Sequence, residues 1–270
     1  MTKPGLPKLV ATDLDGTLVR SDDTVSAYTH EVLDRVRAAG IRIVGATGRG
    51  PRLTSLIRQD IRSADFLVMA QGGWVLDQAE SAYLRRSWLP GADLVPALTA
   101  LEAEVGRLSM MIEALEHDDA PLWGDFDPTW RYPVTVLPRS RADCLSGPVI
   151  KAFARSFEHD VDDLLEVARR VIPERVASVT QAGLDYVEIC PPDVDKATGL
   201  SVVAEAVGVD PADVLVFGDM PNDLPMFGWA GWSRVAVANA HPSLLAVADE
   251  VTLTNDEDGV AVYLDKLLSR

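Results

Sequence analysis

The chain has 270 residues, 47% hydrophobic and 24% charged. This length leaves one large or two moderate domains open, and the composition excludes disordered, collagen-like and disulfide-scaffold classes. Asp and Glu number 41 against 25 Lys and Arg, a net charge of -16; such a surface repels nucleic acid and anionic membranes and favours a small diffusible partner. Cys144 and Cys190 lack C-x-x-C or His spacing and read as free thiols. With no long apolar run and with Pro4 and Pro7 near the start, a cytoplasmic protein without membrane attachment is the expectation.

Residues 8–12, K-L-V-A-T, are apolar and β-branched and stop at a cluster of Asp, Gly and Thr, the pattern of a buried strand entering a polar loop. Ser26 suits the cap of a helix carrying Val32, Leu33 and Val36 on one face, and Gly40 suits its end. A strand over 41–46 runs into Thr47 to Gly50, a helix over 53–60 follows, and a strand over 66–70 stops at Gln71, Gly72 and Gly73. Alternating strands and helices predict a parallel sheet covered on both faces.

Beyond Gly73 the rhythm changes. Residues 74–76 and 82–86 read as a hairpin, 94–105 as a helix and 108–114 as a strand, while 117–138, rich in Asp, Pro and Trp, reads as a long connection. Strands over 149–156, 177–181 and 186–190, with a helix over 161–171, predict a small antiparallel sheet with helices on one face. After Pro191 and Pro192 the first rhythm returns, with a helix over 200–207 and strands over 214–217, 235–238 and 251–254. The expected architecture is α/β: a doubly wound, Rossmann-like parallel-sheet core from residues 1–74 and 191–270, with an inserted α+β domain at 75–190.

Four polar clusters fall at the predicted strand ends, where open α/β sheets bind ligands: D-L-D-G-T at 13–17, T-G-R at 47–49, Lys196, and G-D-M-P-N-D at 218–223. Parallel strands would gather Asp13, Asp15, Asp219 and Asp223 in one crevice, and carboxylates so crowded repel unless a divalent cation lies among them. A hard, all-oxygen set without His or Cys suits Mg2+. Lys196 and Thr47 then suit an anionic substrate, which points to phosphate chemistry with an aspartate nucleophile.

Taken singly, each cluster has a plainer reading. Asp13 and Asp15 alone would be an Asx turn, Thr47 a strand end, Lys196 a solvated lysine at a helix start, and Asp223 a helix cap. Arg49 divides evenly between a substrate contact and a surface salt bridge. His117, Trp123, Trp130 and Tyr132 read as packing within the long connection rather than as a sugar platform, and His241 before Pro242 marks a helix start.

Taken together and in this order, D-L-D-G-T-L, G-A-T-G-R, D-K-A-T-G-L and G-D-M-P-N-D-L-P-M-F resemble the four motifs of the haloacid dehalogenase (HAD) superfamily. The details resemble its Cof-type phosphatases with a large α/β cap of type IIB. The tail, with A-N-A-H-P, A-D-E-V-T and N-D-E-D-G-V-A, resembles that group too. The likeness covers residues 1–73 and 190–270, whereas the insertion matches only in length and strand pattern.

The resemblance implies that Asp13 is nucleophile and Mg2+ ligand, and that Asp15 is general acid and then base, its backbone carbonyl also on the metal. Gly16 would allow the tight turn under the phosphate, Thr47 with Gly48 would hold phosphoryl oxygens, and Asn222 would reach another. Lys196 would neutralise charge, Asp219 would bind the metal directly, and Asp223 would act on it from behind while orienting Lys196. Gln71, Gly72 and Gly73 stand where the family often has Asn-Gly, and Met220 and Pro221 also depart from its usual pattern.

The implied function is a Mg2+-dependent phosphatase acting on a small phosphorylated metabolite, a sugar phosphate in class, as a monomer or homodimer. A phosphohexomutase-type phosphotransferase and a non-catalytic ligand-binding module are the alternatives. A dehalogenase is disfavoured because it has no use for Asp15.

Overall fold

The computed structural model describes residues 5–125, 130, 134–181 and 185–269. The chain divides into two compact units, Met1–Gly48 with Thr54–Arg85 and Asp195–Arg270, and Arg49–Leu53 with Arg86–Val194. The first unit begins with β1 (Leu9–Thr12), α1 (Ala27–Ala38), β2 (Arg42–Ala46), α2 (Thr54–Asp60) and β3 (Phe66–Met69). Ser26 caps α1 by accepting the Thr29 N–H at 3.0 Å, and the helix buries Thr29, Val32, Leu33 and Val36.

β3 ends one residue earlier than its sequence pattern because Ala70 and Gln71 take positive φ, 48° and 59°. The short turn that follows is too brief for a parallel crossover, so β4 (Trp74–Asp77) returns antiparallel beside β3, and β5 (Ala82–Arg86) lies next to it. The hairpin read at 74–86 therefore extends the first unit's sheet, and that unit runs through Arg85.

The second unit contains β6 (Leu89–Pro90), α3 (Gly91–Val105), β7 (Ser109–Glu113), β8 (Leu122–Gly124), β9 (Val136–Leu137), α4 (Arg141–Cys144), β10 (Pro148–Val149), β11 (Lys151–Arg155), α5 (Val161–Val171), β12 (Ser178–Gln181) and β13 (Val187–Cys190). The region read as a long connection thus supplies two strands, both too short to show periodicity. The strand read at 149–156 breaks at Ile150: β10 pairs with β6, and β11 joins a six-stranded sheet of order β12-β13-β11-β7-β8-β9. That sheet is antiparallel except for its β8–β9 pair.

Alternation along β7, β11 and β13 sorts this sheet's two faces. Met110, Ile112, Ala152, Ala154, Val187 and Ile189 join one apolar cluster with Leu98 of α3 and Leu164 of α5. Met111, Leu122, Phe153 and Tyr186 form another, against which Trp130 stands edge-on, 4.7 Å from the Phe153 ring and 5.3 Å from that of Tyr186. Trp130 therefore packs, as read, while His117 is exposed and Tyr132 lies outside the described residues. Beside this second cluster, buried Lys151 donates to Glu188 Oε2 at 3.0 Å and lies 4.4 Å from the Phe153 ring.

The first unit resumes with α6 (Lys196–Val207), β14 (Val214–Gly218), α7 (Leu224–Trp229), β15 (Ser233–Ala236), α8 (Pro242–Leu245), β16 (Glu250–Val251) and α9 (Gly259–Leu268). α6 starts four residues before its apolar pattern because Asp195 and Thr198 close a capping box, each side chain accepting the other's N–H, at 2.7 and 3.1 Å. His241 caps α8, its Nδ1 accepting the Ser243 N–H at 3.2 Å. The eight-stranded sheet has the order β16-β15-β14-β1-β2-β3-β4-β5, with β16 through β3 mutually parallel. β1 and β14 are buried at every position, as strands covered on both faces must be. Both cysteines are buried and unpaired, and no helix among the described residues is long and apolar enough to cross a membrane.

Candidate active site

From β1 the chain adds β2 on one side and later β14 on the other, so the carboxyl end of β1 is the sheet's switch point, where α/β proteins bind ligands. Asp13 follows β1 directly, and its N–H donates to the Phe217 carbonyl at 3.0 Å. Asp219 follows β14 and Thr47 follows β2. The Thr47 backbone is clamped on both sides, donating to the Val68 carbonyl at 2.8 Å and accepting from Gln71 N–H at 3.2 Å.

Lys196 is the first residue of α6 and is fully buried. A cation at a helix N-terminus opposes the helix dipole, so its position needs carboxylates. Nζ donates to Asp13 Oδ1 at 2.5 Å and to Asp223 Oδ1 at 2.6 Å. Asp223 Oδ2 accepts the N–H groups of Asp219 and Met220, at 2.9 and 3.0 Å. Both Asp223 oxygens are thus engaged, and the side chain folds back over Gly218, where a Cβ would lie 2.6 Å from the Asp223 carboxyl carbon.

Thr17 donates to Asp219 Oδ1 at 2.9 Å, and His241 N–H donates to the Asp219 carbonyl at 2.7 Å. Gly16 has φ +79°, and any Cβ there would overlap Asp219 Oδ2. The Gly16 position thus demands glycine for conformation and for space. Its carbonyl accepts from Asn239 Nδ2 at 2.8 Å. Asn222 Nδ2 donates to Gln71 Oε1 at 3.2 Å, and the buried Asn222 Oδ1 has no hydrogen-bond partner among the described residues.

Burial pushes the Asp13 carboxyl up to about 6; Lys196 opposes this, while the charges of Asp223 and Asp15 add to it. Burial, and then Asp13 and Asp223, lift Asp219 well above the ordinary carboxylate range. Burial alone would lower Lys196, but Asp13 and Asp223 outweigh it and hold the ammonium charged. Asp13, Asp219 and Asp223 bring carboxylate oxygens within 4.8 Å of one another. One lysine cannot neutralise three such groups, so this hard-oxygen set fits a divalent cation. Asp13 and Asp219 have the oxygens for it; Asp223, with both of its own taken, acts through Lys196 and the loop.

Of the residues singled out in the sequence, Asp13, Lys196, Asp219 and Asp223 come together directly. Gly16 lies against Asp219, Asn222 meets Gln71, and Thr47 with Gly48 ends the adjacent strand. The Asp15 side chain is half-buried and stands outside the carboxylate cluster. Arg49 is 5% exposed and groups with the second unit, so it is a buried side chain and not a surface one. Thr17, Gln71 and Asn239 were not singled out as site residues; Thr17 closes D-L-D-G-T, and Asn239 lies in the A-N-A-H-P tail, so both signals were present without a role attached.

A doubly wound parallel sheet with an aspartate and lysine centre at its switch point defines an α/β protein with a ligand site suited to an anionic group and a cation. The family model for haloacid dehalogenase-like hydrolases matches residues 10–122 and 132–264, and the chain belongs to that family. It is 27% identical to the 5-amino-6-(5-phospho-D-ribitylamino)uracil phosphatase YwtE of Bacillus subtilis, across 97% of this chain and 98% of the relative. It is 28% identical to a phosphoglycolate phosphatase of Archaeoglobus fulgidus, across 97% of each. A haloacid dehalogenase-like hydrolase from Bacteroides thetaiotaomicron superposes with a TM-score of 0.74 at 27% identity, covering 97% of this chain and 99% of the other. The fold is also that of a HAD subclass IIB sugar phosphatase, with a TM-score of 0.77 at 20% identity, over 96% and 98% of the two chains. By its family the protein is a haloacid dehalogenase-like hydrolase, and several of its relatives are named as phosphatases.

Proposed function

We propose that this chain is a Mg2+-dependent phosphatase that hydrolyses a small phosphorylated metabolite, a sugar or polyol phosphate in class, through an aspartyl-phosphate on Asp13. The observation that carries the reading is the buried Lys196 bridging Asp13 and Asp223, with Asp219 alongside. Lys196 orients the Asp13 carboxylate through Oδ1, and an Asp13 carboxylate oxygen attacks phosphorus. The P–O bond to the leaving group breaks as Asp15 gives that oxygen a proton. Asp15 then takes a proton from water, whose oxygen attacks the phosphoryl group, breaks the acyl-phosphate bond and restores Asp13.

Thr47, Gly48 and the backbone at Gly16 bind equatorial phosphoryl oxygens. Asn222 lies beside them, held by Gln71. Asp13 and Asp219, with the Asp15 carbonyl, would hold Mg2+, which when bound supplies charge neutralisation for the phosphoryl oxygens. Several relatives are named for a substrate carrying phosphate on a ribityl chain, which supports a polyhydroxylated leaving group. A panel of sugar, polyol and nucleoside monophosphates assayed for phosphate release with Mg2+ tests the reading. Turnover on some members and none by Asp13→Asn is expected; no turnover on any, or equal turnover by Asp13→Asn, would sink it.

A further inference from the structure

The second unit has a cavity of about 640 Å3, within the range of small-molecule sites. Its wall is apolar at Met110, Ile112 and Leu145, and its rim is charged. Of the rim acids, Glu102 accepts both ends of the Arg141 guanidinium, at 2.5 and 2.8 Å, and Asp125 accepts the Met110 N–H through Oδ2 at 3.2 Å. Arg107 and Arg139 also line the cavity; neither forms a close ion pair among the described residues, and the acid that feels Arg107, Glu102, is held by Arg141. The Arg139 guanidinium lies 4.0 Å over the Trp123 ring, which fixes its plane and leaves its N–H edge for an acceptor.

In a chain of net charge -16, a cavity lined by three arginines and two acids runs against the trend of the whole chain. Two planar donor forks suit an anionic head, and the apolar Met, Ile and Leu side chains suit a flat apolar body. We propose that this cavity binds a small organic anion, a carboxylate or phosphate joined to an apolar ring. Arg107 and Arg139 receive the anionic group, and Met110, Ile112 and Leu145 receive the ring. All of these residues belong to the second unit, so the inference is independent of the chemistry assigned to Asp13 and Lys196.

Titration calorimetry on the full chain tests it, with 2-naphthoate and 2-naphthylphosphonate as ring-bearing anions, 2-naphthamide as the neutral ring and acetate as the ringless anion. Saturable one-to-one binding of at least one ring-bearing anion is expected, tenfold or more tighter than naphthamide and acetate. The preferred anion identifies the head group. Arg139→Gln and Arg107→Gln are each expected to weaken that binding tenfold or more while leaving phosphomonoester turnover without the probe unchanged. Equal binding of naphthamide, unchanged affinity in both variants, or no heat from either anion at millimolar concentration overturns the proposal. Loss of the phosphatase reading would show in turnover instead.

Discussion

Replacing Lys196 by Met separates the charge of this residue from its bulk. The side chain is fully buried and its ammonium bonds to Asp13 and Asp223, so Lys196→Met leaves two buried carboxyls without their cation. Breaking a buried ion pair from one side costs about 3–5 kcal/mol, which for a protein of this size lowers the melting temperature by about 6–20 °C. Lys196 also holds down an Asp13 carboxyl that burial has already lifted to about 6, so its loss lifts Asp13 further. A group raised in the folded state contributes stability below its unfolded value and loses it as pH rises through the folded one. The deficit of the variant should therefore be larger at pH 8 than at pH 5.5. Thermal unfolding at both pH values, without added metal, reads this directly. Adding Asp223→Asn to the variant removes one orphaned charge and should recover part of the stability and none of the turnover. A Lys196→Met protein melting within about 2 °C of the parent at pH 8, or keeping a tenth of its activity, would refute the reasoning.

Gly16→Ala sets a Cβ against Asp219 Oδ2 at a residue with φ +79°, so a loss of about 1–3 kcal/mol in unfolding free energy and a larger proportional loss of turnover are expected in melts and steady-state assays. Asp15→Asn removes the proposed proton donor from a half-buried position; kcat should fall by about 10²–10⁴ with the melting temperature unchanged. Adding Mg2+ to chelator-treated protein should raise the melting temperature, by about 2.7 kcal/mol of stability at a hundredfold excess over Kd, and Asp219→Asn should abolish that response. Burial raises the Glu113 carboxyl, against the pull of Lys151 and Arg52. The native state therefore holds that proton more tightly, and stability is lost as pH rises above the unfolded value near 4.5. Glu113→Gln cannot ionise, so its stability relative to the parent should grow with pH in denaturant melts from pH 4 to 8, and a flat difference would contradict the sign.

The local elements and the chemistry were legible from residue order because both rest on short-range patterns. Residues 8–12 and 214–217 are apolar runs that end in Asp-rich loops, and parallel strands buried on both faces leave that signature with little help from their surroundings. The cap at Ser26 and the helix start at His241 are also local events, decided by side chains within three residues of the backbone groups they satisfy. The types and order of Asp13, Thr47, Lys196 and Asp219 were enough to indicate phosphate chemistry. Tertiary structure decided what depended on partners distant in sequence. The strands at Leu122–Gly124 and Val136–Leu137 are too short to be periodic and exist through pairing with one another and with β7. The hairpin at 74–86 joined the parallel sheet because a tight turn at Ala70 and Gln71 reverses the chain beside β3. The division of labour among the aspartates was also decided there: Asp223 spends one oxygen on Lys196 and the other on two backbone amides. A composition can count carboxylates, but which of them keeps an oxygen for a metal depends on hydrogen bonds that only the folded chain makes.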